Sequence, residues 1–310
     1  MRELPVSVVV PTLGRPSLIA CVRSLADCRP LPAEVLVLVQ GGAHELAAAA
    51  ARQGPAGTRV VADDGRGVSS NRNHGLRLAA HPVIAVTDDD CTVEPDWIAA
   101  AHALAGAHPA AVLTGRVLPV GDAARVPSCK VDTDPHDFTG ELEPGALYPN
   151  NMVLPRDEVL ALGGFDERFG PCEAAEDGDF AYRWLRAGRT LRYEPALVVH
   201  HHDWRTDDQL AHLYRNYSRG LGALYGKHLR AGDRHMIRFM LRDARTALGM
   251  LKLRLLRRPV PADWRRGLPS GLPGGVVFGL RHLGPRSPWS VTPPERPPGA
   301  APQVRPRSPA

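Results

Sequence analysis

Apolar positions in the first part of the chain fall into short unbroken runs separated by helical repeats. Val6-Ser7-Val8-Val9-Val10 is nearly continuous and β-branched, the pattern of a strand buried on both faces. Pro11-Thr12-Leu13-Gly14-Arg15-Pro16 breaks it. Leu18, Cys21, Val22 and Leu25 then recur at i, i+3, i+4 and i+7, which predicts a helix opened by Ser17. Residues 35–39, 58–61 and 83–86 are further short apolar runs. Between them lie an Ala-rich helical stretch after Gln40-Gly41-Gly42 and a helix from Ser69-Ser70 to Leu78. This alternation predicts an α/β fold, a mostly parallel sheet with helices on both faces.

The pattern loosens after a helix near residues 95–106 and a strand near 112–117. Residues 119–147 are rich in Pro, Gly and Asp and read as a long loop, a length usually tied to function or disorder. Helices are predicted from Pro155 to Gly163 and from Glu176 to Gly188, then a strand pair at 190–193 and 197–202. Residues 209–258 read as helical. There Ile237, Leu241, Ala244, Leu248, Leu251 and Leu255 form one apolar stripe, with Arg238, Arg242, Arg245 and Lys252 mainly on the other side. Such a helix either packs against the preceding domain or lies on an anionic membrane surface. The expected division is a domain over 1–205, a helical region over 206–258, a Gly/Pro-rich extension over 259–284 and a disordered Pro-rich tail over 285–310.

Composition narrows the function classes. The 310 residues are 44% apolar, enough for a sizeable core, and the net charge is +5. Much of the basic excess lies after about residue 205, and no nucleic-acid motif accompanies it. No nucleic-acid partner is expected. The five cysteines lack CxxC spacing and fit a reducing compartment. With neither a signal-peptide pattern nor an 18-residue apolar run, the expectation is a cytoplasmic protein, with residues 236–258 offering peripheral contact at the inner face of the plasma membrane.

The most specific chemistry is Thr87-Asp88-Asp89-Asp90-Cys91 at the end of a predicted strand. Ligands in open α/β sheets sit beyond the strands' carboxyl ends, where Pro11, Thr12 and Gln40 also fall. Adjacent carboxylates repel unless a cation or an array of donors sits among them, and Mg²⁺ or Mn²⁺ prefers such oxygen ligands together with substrate phosphates. The run therefore suggests a metal-dependent nucleotide-phosphate site comprising Asp88, Asp89 and Asp90. Glu176-Asp177 opens a helix and supplies a candidate base. In His200-His201-His202, strand alternation puts His200 and His202 on one face and His201 on the other.

Four segments stand in a familiar order: SVVVPTLGRPSL, GVSSNRNHGLRLAAHPVIAVTDDDC, NNMVLPRDEVLALGGFDERFG and EDGDFAYRWLRAG, followed by YEPALVVHHH. Residues 5–205 thereby resemble the inverting family-two glycosyltransferases of the GT-A fold. The resemblance implies transfer of a sugar from a UDP-, dTDP- or GDP-sugar to a hydroxyl on a glycan, a lipid-linked acceptor or a small molecule, with Mn²⁺ or Mg²⁺. It implies nucleotide contacts at Pro11 and Thr12 and an arginine-asparagine pair beside the donor at Arg72 and Asn73. Asp88 and Asp90 match the metal-binding Asp-x-Asp, joined in some members by the histidine at His200. Asp177, or its neighbour Glu176, would be the catalytic base. Gln40 stands near where many members carry an acidic residue against the nucleobase. The competing readings are a sugar-nucleotide nucleotidyltransferase, whose Gly-rich loop is missing at residues 13–16, and a non-catalytic membrane-peripheral binding protein on the same fold.

Overall fold

The computed structural model describes residues 2–138, 146–260 and 263–284. Its strands are β1 (Glu3–Thr12), β2 (Leu31–Val39), β3 (Thr58–Ala62), β4 (Val83–Thr87), β5 (Cys91–Val93), β6 (Val112–Val120), β7 (His136–Phe138), β8 (Asn151–Pro155) and β9 (Leu191–His202). Its helices are α1 (Leu18–Ala26), α2 (His44–Ala51), α3 (Val68–Leu78), α4 (Trp97–Ala107), α5 (Arg156–Ala161), α6 (Glu176–Arg186), α7 (Asp207–Arg230), α8 (Met236–Leu255) and α9 (Leu268–His282). One sheet runs in the order β3-β2-β1-β4-β8-β6-β9-β5, with β7 also on β9. β1 to β4 pair in parallel, whereas β8 runs antiparallel to β4 and β6.

Alternation along β1 sends Val6, Val8 and Val10 into one core with α1 and α4, and Val9 into the opposite one with α3, α5 and α6. Apolar on both faces, β1 reads in sequence as an unbroken run. The ends of β1, β2, β3 and β4 bring Thr12, Gln40, Asp63 and Asp88 to one edge of the sheet.

Several elements differ from the sequence expectation. Residues 191–202 form one continuous strand rather than a pair. The Met152-Val153-Leu154 run is strand β8, and Pro155 sits just before α5. The helical stretch after residue 206 is two helices, parted at Gly232, whose φ is +85°. α7 opens on a capping box in which Thr206 accepts from the Gln209 N–H while the Gln209 side chain accepts from the Thr206 N–H. Part of the long loop is ordered by β7 and by a bridge between Val117 and Lys130. Its residues 139–145, and the tail at 285–310, lie outside the described residues.

The Gly/Pro-rich extension contains helix α9, and its glycines explain why. Gly271, Gly275 and Gly279 repeat every fourth residue and face α7. A Cβ on Gly275 would meet the Arg219 carbonyl oxygen at 2.0 Å, so the two backbones touch where side chains would normally intervene. Gly222 and Gly226 of α7 return the contact toward Leu272 and Val276. Gly275→Ala should therefore force the helices apart and cost about 1–3 kcal/mol, measured as a lower denaturant midpoint.

The stripe expected on α8 is there, but it is not the packed face. Met236, Asp243, Ala247 and Met250 are buried, while Ile237, Leu241, Leu248, Leu251 and Leu255 are 40–84% exposed. Among the described residues no helix is long and apolar enough to cross a membrane.

Candidate active site at the strand ends

A cleft of about 1360 Å³ lies over the carboxyl ends of the parallel strands. Pro11, Thr12, Gln40, Arg72, Asp88, Asp89, Asp90, Glu176 and Asp177 all line it. Elements far apart in sequence thus bring all but two of the expected site residues, Asn73 and His200, to one cavity.

At the β2 end, both ends of the Gln40 amide are used. Its oxygen accepts from the Gly67 N–H at 3.2 Å, and its Nε2 donates to the Gly67 carbonyl at 3.2 Å and to Asp63 at 2.7 Å. A carboxylate could not donate to Asp63, so a glutamine suits a site where the acidic group comes from β3 instead. Ser70 and His74 hold Asp63 further.

The three aspartates divide the work. Asp89 is buried and accepts from Thr12 Oγ1 at 2.6 Å and Arg15 at 2.5 Å. Thr12 and Asp89, both expected on the nucleotide, thus satisfy each other at the β1 turn while lining the cleft. Asp88 is about 30% exposed and faces Arg72 at 3.4 Å. Asp90 accepts from Trp204 Nε1 at 2.7 Å and lies 3.4 Å from both His201 and Arg205.

His200 does not reach this group. Its Nε2 lies 2.6 Å from Glu94 Oε1, on the other face of β9. Alternation predicted two faces but not which of them meets the acid. That is set by β5, which pairs Cys91 with His201 and so brings His201 beside Asp90. Of the two histidines, it is therefore His201 that meets Asp90, at 3.4 Å, and not the expected His200.

Ligand atoms of Asp90, Cys91 and His201 lie within 4.8 Å of one another. A carboxylate with an imidazole is a workable donor set for a divalent cation, so these residues fit a metal. The Cys91 thiol is pushed well up by burial and by Asp90, and contributes little as a ligand. Burial disfavours charge on His201, but hydrogen bonds to Asp90 and Cys129 outweigh it and push the imidazole up to about 9. Burial also opposes charge on Asp90, yet His201 and Trp204 hold its carboxyl well below the usual range.

Arg72 ties the two acidic motifs together. Buried, it donates to Glu176 at 2.7 Å and lies 3.4 Å from Asp88. Asn73, expected beside the donor, clamps a neighbouring loop instead. It donates to the Phe165 carbonyl and Glu167, and it accepts from the Phe165 N–H. Glu176 is thus held in an ion pair, while Asp177, half-buried at the start of α6, is held by backbone N–H groups. Burial first, and then the charge of Glu176, push the Asp177 carboxyl up to about 7.

Three residues of this site carried no local sequence signal. Arg205 and Trp204 cap Asp90. Tyr217 of α7 shares a hydrogen bond with Ser128 at 3.1 Å. Burial pushes the Tyr217 hydroxyl up to about 12, with Asp177 and Asp88 near enough to add to the shift. The long loop contributes Val126 to Cys129, Ala146 and Leu147 to the walls, and Tyr148 to Asn150 continue them toward β8. Asn151 is buried, accepting from Trp97 Nε1 and donating to the Arg116 and Leu197 carbonyls.

Residues 7–128 match the family described as Glycosyl transferase family 2. That stretch is similar to a family-two glycosyltransferase domain. Among similar proteins, the glucosyl-dolichyl phosphate glucuronosyltransferase of Haloferax volcanii is 30% identical over 149 residues, 45% of this chain and 48% of that one. A pre-mycofactocin glycosyltransferase of Mycobacterium tuberculosis is 27% identical over 155 residues, 47% of this chain and 32% of the relative. The chain thus spans about half or less of these relatives. The solved structure of Staphylococcus aureus TarS 1–349 with UDP-GlcNAc superposes with a TM-score of 0.55 at 16% identity, over 72% of this chain and 66% of that one. GalNAc-T7 with UDP, GalNAc and Mn²⁺ gives 0.52 at 17% identity, over 70% and 47%. The matching domain therefore has the GT-A fold, joined to C-terminal helices that wall its cleft.

Proposed function

We propose that the protein is a metal-dependent inverting glycosyltransferase, moving a sugar from a nucleotide-diphospho-sugar to an acceptor hydroxyl in a single displacement. The observation that carries this reading is Asp177. It is a half-buried carboxyl in the same cleft as Asp88 and Asp90, held near neutrality by burial and by an ion-paired neighbour. As the acceptor oxygen attacks the anomeric carbon, Asp177 takes its proton, and the bond to the nucleoside diphosphate breaks. One attack on the face opposite the leaving group inverts the configuration. Asp90 and His201, with Asp88, would hold Mn²⁺ or Mg²⁺, which neutralises the charge that grows on the leaving diphosphate. Arg72 and Arg205 add positive charge on the same side. Pro11 and Gln40 wall the nucleobase end.

Both solved relatives contain UDP, which makes UDP the first nucleotide to assign, ahead of dTDP and GDP. Thermal unfolding with each nucleotide and Mn²⁺ tests this, because a ligand selective for the native state raises its stability. UDP should raise the melting temperature only with the metal. No shift with any of the three nucleotides would contradict the reading.

Residues 236–258 are the proposed peripheral membrane contact. The outward face of α8 combines exposed leucines with Arg245, Lys252 and Arg254, and each basic group near an anionic surface adds on the order of 1 kcal/mol. Co-sedimentation with anionic vesicles should be strong at low salt, fall as salt rises, and be lost with neutral vesicles. Equal recovery on both vesicle types would remove the membrane from this account.

A further inference from the structure

The cleft is larger than a donor alone requires. Sites for one small ligand measure roughly 300–1,000 Å³, against about 1360 Å³ here. One wall of the cleft is α7. Leu213, Tyr217, Leu221 and Leu224 line it at intervals of four, four and three, so they share one face of the helix over about 16 Å. Phe239 of α8 also lines the cleft and packs in the same apolar cluster as Leu221 and Leu224. Three polar groups beside Phe239 pair with one another, since Asp243 accepts from Tyr225 at 2.5 Å and from Arg242 at 2.9 Å. This arm starts beside the base: a Cβ on Gly178 would lie 3.3 Å from Leu224 Cδ1, and Gly178 follows Asp177.

We propose that this arm holds the alkyl or prenyl chain of a lipid-linked acceptor, whose hydroxyl then lies at Asp177. The assignment rests on the transferase reading above and names the acceptor class for it. A bare glycan would need hydrogen-bond partners along its length, and the leucines of the arm offer none. An aryl group is shorter than the arm. The helix that supplies Phe239 also turns Ile237 and Leu241 outward, 40% and 46% exposed, among basic residues that complement an anionic bilayer, the place from which such an acceptor would come.

The test is calorimetric binding of monomeric alkyl maltosides, as probes carrying a sugar and a chain of chosen length. Affinity should rise at least about threefold from octyl to decyl and again from decyl to dodecyl, against a ceiling of about fourfold per buried methylene. Maltose should bind at least about tenfold more weakly than the dodecyl probe, and UDP with Mn²⁺ should not displace the chain. Leu221→Gln and Phe239→Ala should each weaken the dodecyl probe about tenfold while keeping the UDP-induced thermal shift, which shows that the variant is folded. The outer-face pair Leu248→Gln and Leu251→Gln should leave it unchanged. Independence of chain length, displacement by UDP, or loss only in the outer-face pair would overturn the proposal. Equal affinity for nitrophenyl maltoside would overturn it in favour of an aryl acceptor. Failure of UDP to bind while chain-length dependence persists would instead overturn the transferase reading and leave the apolar arm standing.

Discussion

Replacing Asp177 with asparagine should lower the rate of sugar transfer by roughly 10²–10⁴, the usual contribution of a positioned general base, with UDP affinity nearly unchanged. The amide fits the space of the carboxyl but cannot take the acceptor proton. Because the carboxyl is pushed up to about 7, wild-type turnover should fall as pH drops through that value, and the variant should lack this limb. The sign of the stability effect is also fixed. A carboxyl raised above its unfolded value is bound to its proton more tightly in the folded state, so its favourable contribution is complete below about pH 4 and is lost as pH rises through 7. The asparagine variant should therefore be at least as stable as wild type at pH 8. Stopped-time transfer assays across pH, with denaturation at pH 8, check both statements. Glu176→Gln should disturb folding and donor binding together, because it removes the ion-pair partner of buried Arg72. A rate loss confined to Glu176→Gln would move the base to that residue.

Asp90→Ala should weaken Mn²⁺-dependent UDP binding by more than about 10–100-fold, the range produced by losing outer partners of a metal site alone. Calorimetric titration of UDP with and without Mn²⁺ measures it, and the variant should bind equally in both. His201→Ala should follow Asp90→Ala, whereas His200→Ala should keep the metal dependence, since its ring faces Glu94. The reverse pattern would return the ligand to His200.

The parts of the fold that are apolar on both faces were the legible ones. β1 and β4 read as strands because burial on two sides leaves almost no polar position in them, and the acidic run stood out against that background. The rest depended on contacts between distant segments. Asp88, Asp89 and Asp90 look alike in sequence, and only Thr12 and Arg15 make Asp89 a buried structural residue. His200 and His201 are distinguished by the pairing of β5 with β9. Arg72 and Asn73 are adjacent on a helix, so they point different ways, one into the cleft and one onto Phe165. The glycines of α9 suggest a loop until α7 is laid against them. Tyr217 has no motif at all, and its place near Asp177 follows from α7 packing over the domain.

The central claim, that this cleft breaks a nucleotide-diphospho-sugar with Asp177 as the base, is tested most directly by nucleotide release. Wild-type and Asp177→Asn protein should be incubated with a panel of UDP-sugars and Mn²⁺, and free UDP followed with time. The account predicts steady UDP release from at least one donor by the wild type, abolished by chelation and reduced at least about 10²-fold in the variant. Equal release by both proteins, or release that survives chelation unchanged, would contradict it.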